Sequence, residues 1–166
     1  MFKNILAPYD GSKPADKAAN YAAGLAKAFA TGNDKGCRII LLHVVPQIPT
    51  SPLFIERPMS TTGLDHIPLS KYIENLYAEM QTHAAEMLKE KKKELELALD
   101  STATIETIVL IADSVADEIV KLATAEKIDL IVIGNVGLSG ISKLKTLGSV
   151  SRGVSERAPC PIMIVH

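Results

Sequence analysis

Glycine and serine residues near the end of the chain have the spacing of a phosphate-binding loop. The sequence reads Gly134-Asn-Val-Gly137, then ten further residues, and then Gly148-Ser149. Glycine has no Cβ, so backbone N–H groups can approach a bulky anion at these positions. Gly148-Ser149 opens a predicted helix, whose free N–H groups and dipole form a second anion site. Two such sites on one loop favour a polyphosphate ligand over a single carboxylate.

A purely structural interpretation of the same residues remains open on spacing alone. Gly134 and Gly137 would then serve a turn between a strand and a loop, and Ser149 would only cap a helix.

Several other chemistries lack the residues that they need. No Gly-Lys-Ser/Thr occurs, and Asp10-Gly-Ser lacks the Gly-x-Gly-x-x-Gly pattern of dinucleotide sites. Asp10 alone could suggest a phospho-accepting receiver domain, which also needs an acid cluster at the first strand and a lysine after the fifth. Ser149 and Ser151 have no evident base partner for a hydrolase triad.

His43 lies in an apolar strand and is interpreted as a core histidine. The other histidines share no ligand spacing with it, so a metal site built from protein ligands alone has little support.

Strands alternate with helices along the chain, and this order predicts the fold. Short apolar runs predict strands at residues 5–8, 38–45, 104–111, 129–134 and 161–165, and helical periodicity predicts helices at 13–30, 70–99, 115–127 and 149–157. The prediction is a three-layer, doubly wound, open parallel five-stranded α/β sheet with helices on both faces, which is a Rossmann-like architecture. Ligands of such sheets bind beyond the carboxyl ends of the strands. Pro8-Tyr9-Asp10, Val44 and the loop from Gly134 should therefore converge there.

The composition is that of an ordinary globular domain. Of the 166 residues, 47% are hydrophobic and 22% charged, with a net charge of −1. Residues 1–166 are predicted to form one domain, and without a broad basic field nucleic acid is not an expected partner. The apolar runs are too short for a signal peptide or a membrane span, which predicts a soluble, cytoplasmic protein. Cys37 and Cys160 suggest a reducing compartment, although a single bridge stays open.

Two segments stand apart from this regular alternation. Residues 46–68 contain five prolines and are predicted to be a long loop insertion that acts as a mobile lid or a partner-binding segment.

Within the long predicted helix, residues 89–94 form a charge run, Lys-Glu-Lys-Lys-Lys-Glu. Because acids are interleaved with the lysines, this run is interpreted as a solvated helix face.

The sequence resembles the universal stress protein family over nearly its whole length. The opening Ile5-Leu-Ala-Pro-Tyr-Asp-Gly-Ser12 is similar to that family's first strand and its aspartate. The end of the chain, Gly148-Ser-Val-Ser followed by Ala158-Pro-Cys-Pro-Ile-Met-Ile-Val165, resembles its closing segment. The glycine loop is similar to the G-x2-G-x9-G-[ST] motif of its ATP-binding branch. The resemblance implies an adenine nucleotide alpha hydrolase-like fold and a nucleotide-binding regulatory protein of the stress response.

The resemblance also implies a role for each site residue. The adenosine would be held by Asp10 with the backbone of Pro8 and Tyr9, and the backbone of Val44 would meet the adenine. The ribose and inner phosphates would lie against Ile133, Gly134 and Gly137. The outer phosphates would be held by Gly148, Ser149 and Val150. ATP, or another adenine nucleotide, would bind with a divalent cation, for which Mg²⁺ is expected.

A homodimer is expected through the last strand, which runs from Pro161 to Val165. It is apolar at successive positions and is predicted to lie at a sheet edge, and an unpaired apolar edge invites association with a second chain. The family resemblance implies the same arrangement. The alternative is that the loop at residues 46–68 covers this edge.

Two departures from the family pattern keep three functions under consideration. The spacer from Leu138 to Leu147 has ten residues where the motif has nine, and Val136 stands where many relatives carry a polar or basic residue. The leading hypothesis is a nucleotide-binding regulatory protein without catalysis, since the motif supplies no evident general base. The extra spacer residue favours the alternative, an interaction module with a degenerate pocket. A slow ATPase is the third.

Overall fold

The computed structural model describes residues 2–29, 36–49, 69–100, 102–138 and 147–166. Five strands lie in this part of the chain: β1 (Asn4–Pro8), β2 (Cys37–Pro46), β3 (Ala103–Ala112), β4 (Leu130–Gly134) and β5 (Ile162–Val165). The described helices are α1 (Lys13–Phe29), α2 (Leu69–Leu99), α3 (Val115–Ala125) and α4 (Ser149–Arg157). All strand pairs are parallel, in the order β3-β2-β1-β4-β5. The predicted doubly wound α/β fold is therefore confirmed.

Successive residues of a strand point to opposite faces of the sheet, and helices pack on both faces. The result is three layers, with the sheet in the middle. Ile5, Ile39 and Val132 pack with α1 and α2 on one face. Leu6 and Ile131 pack with α3 and α4 on the other face. The strands β1, β2 and β4 are apolar on both sides because helices cover both faces.

Serine side chains cap the first turns of two helices. Ser12 Oγ accepts a hydrogen bond from the Ala15 amide at 3.3 Å, at the start of α1. Ser114 Oγ accepts one from the Asp117 amide at 3.3 Å, at the start of α3. Each bond satisfies a backbone donor that the helix itself leaves free.

Predicted and observed element ends differ by one or two residues, and the end of α3 shows why. The apolar periodicity predicts this helix through residue 127, whereas it ends at Ala125. Lys127 has a φ of 50°, outside the helical region, and its amide donates to Thr124 O at 3.3 Å. The chain therefore turns toward β4 before the apolar pattern ends.

The interpretation of residues 89–94 as a solvated helix face is correct for most of the run, in which four residues are exposed, and is wrong for Lys91. This residue is 2% exposed and lies between α2 and α1. Its ammonium contacts Asp16 Oδ1 at 2.7 Å, Glu94 Oε1 at 2.9 Å and Asn20 Oδ1 at 2.9 Å. Burial opposes the charge, but the hydrogen bonds to Asp16 and Glu94 outweigh it and raise the pKa of Lys91. The charge is retained because each of its three donors has an acceptor.

The predicted proline-rich segment lies mostly outside the described residues. Pro46 is the last residue of β2, and residues 47–49 follow it. The Ile48 amide donates to the Tyr77 hydroxyl of α2 at 2.6 Å. Residues 50–68 are not described, so the lid or partner-binding role stays a prediction.

Both cysteines are free thiols, which answers the question that their number left open. Cys37 is buried at the start of β2, and Cys160 is half-buried shortly before β5. Burial raises the pKa of both thiols, as expected of structural cysteines.

Candidate functional site

The sheet has its switch point between β1 and β4. The chain leaves β1 through α1 and returns as β2 on one side, whereas β4 lies on the other side of β1. Loops that follow adjacent strands therefore diverge at this point and leave a crevice at the carboxyl edge. The residues after β1 and the glycine loop after β4 border this crevice.

Asp10 joins these two segments. Its Oδ1 accepts a hydrogen bond from the Ser12 amide at 3.0 Å, which shapes the turn after β1. Its Oδ2 accepts one from the Leu138 amide at 3.0 Å, in the loop after β4. One carboxylate thus joins the turn after β1 to the start of the loop after β4.

Gly137 is a glycine because Asp10 lies against it. A Cβ at this position would lie 2.6 Å from Asp10 Oδ2, closer than real side chains approach. The backbone of the loop is therefore exposed directly to the carboxylate and to the crevice. The role of Gly137 beside the ribose and inner phosphates stays a prediction.

Gly148 packs against the start of the same loop. Its amide donates to Asn135 O at 2.8 Å, and a Cβ there would lie 3.3 Å from that oxygen and 3.4 Å from Val136 Cα. The tenth spacer residue therefore does not carry Gly148 away from the residues that follow β4.

The first turn of α4 keeps its amide donors available. Gly148 is the N-cap of this helix and makes no side-chain capping bond, unlike Ser12 and Ser114 at α1 and α3. Ser149 is exposed and Val150 is half-buried. Backbone N–H groups without a cap, together with the helix dipole, favour an anion at this end.

Gly134 has a packing role that its place in the motif does not reveal. A Cβ there would lie 2.8 Å from both Ala15 N and the carbonyl carbon of Pro14, and 2.9 Å from Pro14 Cβ. Because Gly134 has no side chain, the first turn of α1 can pack closely against β4. The structural interpretation of this glycine, left open by its spacing, accounts for its identity.

The side chains of Val44 and Ile133 belong to the core rather than to the crevice. They are 7% and 5% exposed and pack in the layer of α3 and α4. Any contact of these residues with a ligand must therefore be made by their backbones, as the resemblance implies for Val44.

Pro8 and Tyr9 are held at the end of β1 by the neighbouring strand. The Tyr9 amide donates to Leu42 O at 2.8 Å. His43 Nδ1 lies 2.8 Å from Tyr9 O and is the donor, because a carbonyl only accepts. Burial, and next the Asp16 carboxylate, raise the pKa of the Tyr9 phenol. His43 is thus a satisfied strand histidine, and it positions the turn that carries Asp10.

Asn135 and Ser151 were not singled out as site residues from the sequence, yet they organise the loop. Ser151 is 2% exposed, and its hydroxyl donates to Asn135 O at 2.7 Å. The available signal was helical spacing, because Ser151 lies three residues before the buried Val154 on the same face of α4. This spacing indicates that Ser151 is buried, but it does not indicate that the hydroxyl binds Asn135 O.

The described crevice residues offer backbone amide donors, which suit an anion, and one carboxylate, which suits hydroxyl or amide donors. Within the described ranges, no group of three or more His, Cys, Asp and Glu side chains is placed to hold a metal ion. In the same part of the chain, no helix has both the length and the apolarity needed to cross a membrane.

Comparisons with known proteins match this chain to one family. The model of the universal stress protein family matches residues 1–166. Universal stress protein YxiE of Bacillus subtilis is 30% identical over 166 residues and covers 100% of both chains. MJ0577 of Methanocaldococcus jannaschii, also named a universal stress protein, is 28% identical over 165 residues, which are 99% of this chain and 95% of that protein.

Solved structures have the same fold. The structure of MJ0577 matches with a TM-score of 0.73 and 27% identity, over 99% of this chain and 96% of that one. A universal stress protein in complex with cAMP matches with a TM-score of 0.59 and 25% identity, over 99% of this chain and 97% of that one. On the whole-length family match and the similarity to YxiE, the chain belongs to the universal stress protein family.

Proposed function

We propose that this protein binds an adenine nucleotide at the β1–β4 switch point, with ATP as the expected ligand, and that it acts as a regulatory binding protein. The observation that carries the proposal is the hydrogen bond from the Leu138 amide to Asp10 Oδ2, at 3.0 Å. It holds Asp10, in the turn after β1, against the loop that follows β4 at one crevice. The cAMP complex of a structural neighbour supports an adenine nucleotide as the ligand class.

The proposed roles follow the order of the groups along the crevice. Asp10 accepts hydrogen bonds from the ribose, and the backbones of Pro8, Tyr9 and Val44 contact the adenosine. Ile133 and Gly134 contribute backbone beside the ribose, and Gly137 leaves room for the inner phosphates. At the start of α4, Gly148 lies beside the outer phosphates with its amide bonded to Asn135 O at 2.8 Å, and the amides of Ser149 and Val150 donate to these phosphates. The proposal takes residues 1–166 as one nucleotide-binding domain, the length that the family match covers.

A magnesium ion would accompany ATP at the phosphate end of the crevice. Mg²⁺ prefers oxygen ligands, keeps several waters and is commonly held through substrate phosphates, so it does not require a cage of protein carboxylates. The exposed Ser149 is the hydroxyl residue at this end. The ion would offset the charge of the triphosphate.

A nucleotide-free interaction module is the second candidate, and the longer spacer is what favours it. The contact of Gly148 with Asn135 O at 2.8 Å argues the other way, because the α4 end of the motif still meets its β4 end. We place an ATPase last, since the site residues supply amide donors and no evident general base.

Titration calorimetry with nucleotides tests the proposed function. We expect ATP with Mg²⁺ to bind at one site per chain, and ADP, AMP and adenosine to bind progressively more weakly as phosphate contacts are lost. GTP is the matched control, since it carries the same phosphates on a different base, and it should bind at least about tenfold more weakly. If ATP, ADP and AMP all fail to bind at millimolar concentration, the proposal is wrong.

We further propose that the protein is a homodimer joined along β5. This strand pairs with β4 and has no partner on its other side among the described strands. Residues 161 and 165 direct their carbonyls toward β4, so the backbone groups of Ile162 and Ile164 point to the free edge. A two-fold axis would pair this edge with its copy and close the interface.

Proline at the free edge should dissociate the dimer. Ile164→Pro removes an outward N–H and leaves the β4 pairing groups in place, whereas Ile164→Val keeps both that N–H and a β-branched side chain. Light scattering should give twice the chain mass of 17.8 kDa for the unmodified protein and Ile164→Val, and the monomer mass for Ile164→Pro. A monomeric unmodified protein at micromolar concentration would refute the dimer.

A further inference from the structure

The carbonyl oxygen of Asn135 accepts two hydrogen bonds from the first turn of α4. The Gly148 amide donates to it at 2.8 Å, and Ser151 Oγ donates to it at 2.7 Å. Ser151 Oγ also lies 3.1 Å from Gly148 O. We call Asn135, Gly148 and Ser151 the loop clamp. It joins the residue after β4 to the start of α4 without involving the residues between them.

The other end of the loop clamp is fixed to the sheet. The Asn135 amide donates to Val165 O at 2.8 Å, at the end of β5. The Asn135 side chain contacts His166 Nδ1 at 3.0 Å. Because Asn135 is held on its β5 side, the donors from Gly148 and Ser151 place α4 relative to the sheet rather than moving Asn135.

The loop clamp also orients helix donors that receive no side-chain cap from the described residues. Gly148 offers no capping side chain, so the anchoring of the first turn positions the N-terminal amides of α4. Ser151 is 2% exposed and its hydroxyl is committed to protein carbonyls, so it acts on a ligand only through the position of this turn.

We propose that Ser151 is a positioning residue for the phosphate end of the nucleotide site, and that the loop clamp, rather than the number of spacer residues, sets the place of the α4 amides. This inference rests on the proposed function. It explains how the α4 amides keep their place although the spacer has ten residues. Loss of the Ser151 hydroxyl releases one of the two bonds that anchor the turn. The phosphates then lose affinity, whereas the adenosine end, held by the turn after β1, keeps its affinity.

Calorimetry of Ser151→Ala with ATP and with adenosine tests the inference. Since a buried hydrogen bond contributes roughly a factor of five in an equilibrium constant, ATP affinity should fall about fivefold, and adenosine affinity should change less than about twofold. Ser155→Ala is the matched control, because Ser155 is an exposed α4 serine whose hydroxyl donates to Arg152 O, 2.7 Å away. Ser151→Thr retains the hydroxyl and should keep the ratio of ATP to adenosine affinity.

The ratio separates positioning from general destabilisation, which would weaken both ligands together. An unchanged ratio in Ser151→Ala overturns the inference while leaving the proposed function intact. If the unmodified protein binds neither ligand, the proposed function fails and this inference fails with it. Amide hydrogen exchange tests the loop clamp without ligand: the Gly148 amide should exchange slowly and should exchange faster in Ser151→Ala. Fast exchange in the unmodified protein would mean that no loop clamp exists in solution.

Discussion

Replacing Gly134 by alanine should lower the free energy of unfolding by about 2 kcal/mol, within the usual cost of overpacking a core. The new Cβ would lie 2.8 Å from the backbone of Pro14 and Ala15, which cannot rotate away as a side-chain end would. The first turn of α1 must therefore shift from β4. For a chain of this length the melting temperature should fall by about 4–8 °C, measurable by thermal unfolding followed by circular dichroism.

Gly24→Ala is the matched control for this substitution. Gly24 lies exposed within α1, and an added Cβ would meet nothing within 4 Å. Alanine at such a helical position should stabilise the protein by about 0.5–1 kcal/mol. If Gly134→Ala melts at the temperature of the unmodified protein, the close packing of α1 on β4 does not exist in solution.

Replacing Gly137 by alanine should weaken ATP binding by about tenfold or more while changing the melting temperature little. A Cβ at this position would lie 2.6 Å from Asp10 Oδ2 and would displace the carboxylate from the Leu138 amide. The same atom would narrow the crevice where the inner phosphates are proposed to lie. Gly137 is exposed at the edge of the sheet, so the core is not disturbed. Calorimetry with ATP gives the affinity.

A double-mutant cycle with Asp10 separates the two causes of this loss. In an Asp10→Ala background the carboxylate is gone, so any additional loss from Gly137→Ala reports only the blocked approach of the phosphates. We expect the second substitution to cost less there than in the unmodified protein. Equal costs in both backgrounds would show that the contact of Asp10 with Gly137 does not contribute to binding.

Local pattern was sufficient for most of the fold. Apolar runs covered on both faces, serine caps at Ser12 and Ser114, and the alternation of strands with helices depend on residues that are close in sequence. Their elements were therefore predicted to within one or two residues. The end of α3 at Ala125 was missed because the apolar pattern continues beyond the residue at which the backbone turns.

The individual roles within the glycine motif could not be predicted from spacing. Gly134 and Gly137 look alike in the sequence. However, Gly134 packs closely against Pro14 of α1, whereas Gly137 packs closely against the Asp10 carboxylate. These partners are more than 100 positions away along the chain, and no local propensity encodes such a contact. Ser151 was likewise considered only as a nucleophile, and its partner, Asn135 O, lies on another element.

What the sequence by itself determined was the parallel sheet, its helices on both faces and the carboxyl edge at which ligands of such sheets bind, because periodicity and chain order specify these features directly. Only the tertiary structure decided which side chains in those elements are committed to protein contacts. Lys91 shows the reason most clearly. It stands in a run of charges, but it also follows the buried Leu88 at helical spacing, and α1 supplies Asp16 and Asn20 as acceptors. A charged side chain is buried at low cost only where acceptors of this kind bind it. Those contacts form only when two helices that are distant in sequence pack together.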